Sequence, residues 1–175
     1  MLSRLSTWFR SPPPRPGFPL MSAPQRPEIC AIPYHHGLTA ELAREHERLR
    51  ELFGLVAQAF GAGRRELCIE RLHEFDRALR LYLADEGVRF ENYMRHLLSD
   101  DGENLRLMSR LRARLRGLSH YIHTLAQTER EGRLSGQGYR DFGTAMDRVA
   151  VGLKQVFECQ QRLLFPLYRP TSANN

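Results

Sequence analysis

The chain has 175 residues, 42% hydrophobic and 26% charged, with a formal net charge of +6, which is enough for one hydrophobic core plus tails. No apolar run reaches the roughly 18 residues that a membrane-spanning helix needs, so a membrane protein is not expected. Cys30, Cys68 and Cys159 form an odd, scattered set without a CxxC, which argues against a disulfide framework or a zinc site and fits reduced thiols in a cytoplasmic protein.

The first segment is of a different kind from the rest. SPPPRPGFPLMSAPQRP is rich in proline and has no acid before Glu28. Proline fixes φ and removes a donor, so no helix runs through it. MLSRLSTWFR lacks the apolar stretch of a secretory signal, and Met21 offers an alternative start. Residues 1–31 are expected to be a disordered extension, residues 32–170 the folded domain, and residues 171–175 a tail.

From Leu38 onward the apolar period is helical. Thr39 is placed to cap a first helix in which Leu42, His46, Leu49, Leu52, Phe53 and Val56 recur at three and four. Gly61 and Gly63 end it. A second helix, from about Glu66 to Leu98, aligns Ile69, Leu72, Phe75, Leu79, Tyr82, Glu86, Phe90 and Tyr93. SDDGEN makes the next turn. The third helix carries Leu107, Leu111, Leu115, Leu118, Ile122 and Leu125, and ends before Gly132. The fourth begins near Gln137, shows Phe142, Met146, Val149, Leu153, Val156, Gln160, Leu163 and Leu164, and stops at Pro166 and Pro170. Four such stripes with short loops predict an all-α, antiparallel up-down-up-down four-helix bundle.

In antiparallel neighbours, residues equidistant from the shared turn lie at one height. His46 lies about 17 residues before the first turn, and Tyr82 and Glu86 lie about 18 and 22 after it. The three are therefore expected to form one polar layer in the core. Buried polar groups must be paired, so the layer is either a hydrogen-bonded cluster or a metal site, because imidazole, phenolate and carboxylate all bind iron. His120 and His123, three apart in SHYIHTL, flank their helix's stripe and are weaker candidates. His35 and His36 stand at the entry to the bundle, and His73 and His96 fall on surface positions.

The positive charge comes almost entirely from arginine, Lys154 being the only lysine. A nucleic-acid partner would require these charges to cluster on one side; the expectation is a solvated basic face and no nucleic acid. No GxGxxG, P-loop or GxSxG occurs, and Cys159 has no histidine near it in its helix, so no enzyme is expected.

Residues 32–168 resemble a bacterial hemerythrin-like (HHE-type) domain. IPYHHGLTAELAREHERLRELF is similar to the entry segment and first helix of that family, with His46 at the first ligand position. LRLYLADEGVRFENYM resembles its second-helix pattern of a histidine four residues before a glutamate; Tyr82 stands for the histidine and Glu86 keeps the carboxylate. FECQQRLLFPLY resembles the closing pattern, with Val156 at the histidine and Gln160 at the carboxylate. The resemblance implies a di-iron fold. With most ligand positions replaced, it implies a degenerate site, no resident cofactor, and a non-enzymatic binding or regulatory role with a protein partner. The alternative it leaves is a sensor of iron, oxygen or nitric oxide with a reduced or mononuclear site at His46, Tyr82 and Glu86, with His120, His123 and Gln160 as further donors. FDRALRLYLADEGVRFENYM and AVGLKQVFECQQRLLFPLY also resemble helices of the bundle regulators that bind the primary sigma factor, without that family's first-helix Asp-Arg-Trp signature.

Overall fold

The computed structural model describes residues 33–130 and 137–170, with side chains for 33–128 and 141–170; the Pro-rich extension with Trp8 and Cys30 and the tail 171–175 lie outside them. Among the described residues every regular element is helical and there is no strand. None of these helices is long and apolar enough to cross a membrane.

Helix α1, Leu38–Gly61, buries Leu38, Leu42, His46, Leu49, Phe53, Val56 and Ala59, a run of three- and four-residue steps that keeps one face inward. Thr39 does not cap it. Gly37, at φ 91°, is the N-cap and makes no side-chain cap bond, and Leu38 N–H turns back to His35 O at 3.2 Å. The left-handed entry uses the one residue type that pays no Cβ penalty there, which moves Thr39 inside the first turn. At the other end Gly63, at φ 66°, donates to Phe60 O at 2.9 Å while Arg64 N–H reaches Ala59 O at 3.0 Å. That pair of bonds is a Schellman stop.

Helix α2, Arg65–Glu86, turns Cys68, Leu72, Phe75, Asp76, Leu79, Tyr82 and Glu86 inward. Cys68, not Ile69, takes the first buried position. The second helix continues past Glu86, but not as one α-helix: a π turn over Gly87–Glu91 precedes α3, Asn92–Leu97. Helical dihedrals persist across both junctions, so α2, the π turn and α3 form one rod. Asp101 then accepts Asn104 N–H at 3.1 Å and starts α4, Gly102–Arg130, a carboxylate N-cap. Helix α5, Gln137–Cys159, runs into a second π turn, Gln160–Leu164, and a 3-10 turn at Phe165–Leu167 that carries Pro166.

The described residues thus form a helical bundle of four long helices. α1 packs on α2 and α5, and α4 packs on α2 and α5. Phe75, Phe90, Phe157, Leu72, Leu79 and Leu115 are fully buried in its core, and truncating any one to alanine removes about 2–5 kcal/mol. Of the stripe read for the third helix, Leu111, Leu115 and Ile122 are buried, while Leu107, Leu118 and Leu125 pack at its margin and Met108 and Ala126 complete the core.

Candidate functional site

His46 is completely buried. Its ring stacks on Phe157, with centroids 4.0 Å apart and planes at 10°, and lies 5.7 Å from Phe165. Its Nε2 is 2.7 Å from the Tyr82 hydroxyl, and its Nδ1 is 3.1 Å from Gln161 Nε2. The Tyr82 hydroxyl also donates to Gln160 Oε1 at 3.4 Å, and Gln160 Nε2 donates to Glu86 Oε1 at 3.3 Å. Arg112 Nη1 donates to Glu86 Oε2 at 3.4 Å and pairs directly with Glu91. Glu91 is held from its other side by Arg95, whose Nε lies 3.0 Å away.

One set of proton positions satisfies this whole chain. Gln161 donates to His46 Nδ1, His46 Nε2–H to the Tyr82 oxygen, Tyr82 to Gln160, Gln160 to Glu86, and the guanidinium of Arg112 to Glu86 as well. Every bond runs toward the carboxylate, and the network fixes His46 as the neutral Nε2–H tautomer. The electrostatics agree. Burial, helped by the charge of Arg50, pushes the His46 imidazole down to about 3. Burial and the neighbouring Glu86 raise the Tyr82 phenol well above its usual range. Burial also raises the Glu86 carboxyl, against the opposing pull of Arg112.

Two backbone devices build the layer. In an α-helix, residues five apart point in different directions, so Glu86 and Glu91 would not share a partner. The π turn closes i to i+5 and brings both carboxylates onto Arg112. Gly87 sits inside that turn, where a Cβ would collide with the Arg112 guanidinium; glycine lets the cation lie against the backbone. The second π turn begins at Gln160, and Gln160 and Gln161 both reach the layer.

The sequence expectation joined His46, Tyr82 and Glu86, with Gln160 as a further donor. All four are buried and linked, although Glu86 joins the other two through Gln160 rather than directly. His120 and His123 lie elsewhere. His120 is exposed, and His123 Nδ1 pairs with buried Asp76 at 3.0 Å, where Arg80 also reaches Asp76 at 3.1 Å. His35, at the entry, lies 3.4 Å from Arg89, His96 is exposed and His73 is half-buried. Sequence reasoning missed Glu91, Arg112, Phe157 and Gln161. The one local sign of the first two is Gly87, a glycine in mid-helix, where it costs roughly 1 kcal/mol relative to alanine.

The donor set does not fit a di-iron centre. It holds one imidazole with both nitrogens engaged and a guanidinium between the two carboxylates, and the buried Val156 has no lone pair to offer. Among the described residues no group of three or more His, Cys, Asp or Glu side chains is placed to hold a metal ion. Comparisons with protein-family models, with curated proteins and with solved structures gave no match to this chain.

Proposed function

We propose that this protein is a hemerythrin-like bundle, its helices running up-down-up-down, that has exchanged the iron layer for an internal hydrogen-bond chain and serves as a non-enzymatic binding or regulatory module in the cytoplasm. The observation that carries this reading is the engagement of the layer's donors: both His46 nitrogens are hydrogen-bonded, and Glu86 is shared by Gln160 and Arg112. A metal would have to break those bonds and displace the half-buried Arg112, whose charge repels it. Removing that arginine would take the cation away from buried Glu86 and leave Glu91 to Arg95 alone, which is unfavourable. The up-down course is supported by two contacts between α1 and α2: Val56 O meets Cys68 Sγ near their turn, and His46 meets Tyr82 farther from it.

Elemental analysis after anaerobic loading with ferrous iron, followed by desalting, tests the reading. The expected result is iron far below one per chain and no oxygen-dependent charge-transfer band on exposure to air. One iron per chain, lost on His46→Phe or Glu86→Gln, would replace this reading with a mononuclear sensor of oxygen or nitric oxide. Two irons per chain would restore the ordinary family chemistry.

A further inference from the structure

We propose that the solvent face of α4 is a binding surface for single-stranded nucleic acid. Between Glu103 and Glu129 the helix carries Arg106, Arg110, Arg112, Arg114 and Arg116 and no acid. Arg112 is used inside, on Glu86 and Glu91, and the other four are exposed. Six arginines from α1 to α3 are neutralised locally: Arg48, Arg50, Arg71, Arg80, Arg89 and Arg95 each pair with an acid three or four residues away. Among the described residues the four exposed arginines of α4 have no carboxylate at ion-pair distance, and Arg114 bonds only the neutral amide of Gln155. The clustering on one side that a nucleic-acid partner demands is therefore present.

The arrangement also selects among anionic partners. Arg106, Arg110 and Arg114 are four apart, so they form a ridge with steps of about 6 Å along the axis. Gly117 and Tyr121 continue the same row, and Tyr121 is 42% exposed. Guanidinium forks match phosphate oxygens two at a time, and an exposed phenol ring offers a base its flat face. An acidic protein would want apolar anchors at the centre of the contact, whereas here Ser109, Ala113 and Gly117 lie among the arginines. The same lack of apolar side chains leaves nothing to insert into a membrane surface. A duplex groove about 12 Å wide admits one helix, and α4 is flanked by α2 and α5. Unpaired bases meet neither obstacle.

Fluorescence anisotropy of the full chain with a labelled single-stranded oligonucleotide of roughly 12 nucleotides tests the proposal. Affinity should fall with salt at a logarithmic slope of about −3, four contacts at about −0.7 each. Arg110→Gln should flatten the slope by about 0.7, and Tyr121→Ala should weaken binding roughly tenfold with the slope unchanged. Arg48→Gln, which removes an arginine already paired with Glu45, should change neither. Helicity by circular dichroism should be that of the wild type throughout, since these side chains are exposed. Full binding by a variant with Arg106, Arg110 and Arg114 all changed to Gln would overturn the proposal. Equal or tighter binding of the matched duplex, of polyglutamate or of anionic vesicles would overturn it as well.

Discussion

At the scale of single residues, His46 makes the fold sensitive to acid. Its folded value of about 3 lies below the ordinary 6.5, so between those pH values the unfolded chain binds a proton that the folded chain refuses. Stability therefore falls as the pH drops through that window, by roughly 1.4 kcal/mol per unit for this one group. Glu86 acts with the opposite sign: its raised carboxyl binds a proton more readily in the folded state, so its contribution falls as the pH rises. His46→Phe keeps a ring between Phe157 and Phe165 but leaves the Tyr82 hydroxyl and Gln161 without their partner, and should cost about 1–3 kcal/mol at pH 7. Urea unfolding at pH 7 and pH 5 should then show the wild type losing about 2 kcal/mol more than the variant. Parallel losses in the two proteins would mean that His46 is charged when folded.

At the scale of the element, the π turn at Gly87–Glu91 decides what Arg112 can hold. Gly87→Ala would ordinarily help a helix by up to about 1 kcal/mol, but here the new Cβ occupies the place of the guanidinium. The variant should be destabilised by about 1–3 kcal/mol, because Glu86 and Glu91 lose their shared cation. Gly87→Ala combined with Arg112→Met should cost less than the sum of the two single changes, since both act on one contact. Additive losses in chemical denaturation would show that the two residues act independently. This element also marks how far periodicity reads. The three-and-four spacing found most of the inward stripe of each described helix, erring at Ile69, where Cys68 turns inward, and at Leu163, which is exposed; equal height across the first turn found His46, Tyr82 and Glu86. That arithmetic assumes an unbroken α phase. Past Glu86 the π turn adds a residue to the turn and brings Glu91 inward beside the stripe positions Phe90 and Tyr93; Arg112, on α4, lies beside the Leu111 and Leu115 stripe rather than on it. Thr39 misled for a related reason: its type suits a cap, but the backbone at Gly37 had already set the helix start.

At the scale of the whole molecule, the bundle is closed where its entry meets its exit. Tyr168 stacks on Tyr34 and sits against Tyr93, with centroids 4.9 Å away in each case. Its hydroxyl accepts His35 N–H at 2.9 Å, and the Tyr93 hydroxyl donates to Arg169 O at 2.8 Å. The His35–Tyr168 bond joins positions 133 residues apart and the Tyr93–Arg169 bond positions 76 apart, unlike the local bonds of the helices. Tyr168→Phe removes one hydroxyl and keeps the ring, and should cost about 1 kcal/mol. Tyr168→Ala removes the ring that packs on Tyr34, Phe90 and Tyr93 and should cost about 3–5 kcal/mol. Native-state hydrogen exchange should separate the two roles. In Tyr168→Ala, the amides of the first turns of α1 and those after Gln160 should lose protection together, while those around Leu72 and Phe75 fall only with global stability. Loss confined to the residues after Gln160 would show that the aromatic cluster anchors the end of the chain alone and leaves the entry to α1 to hold itself.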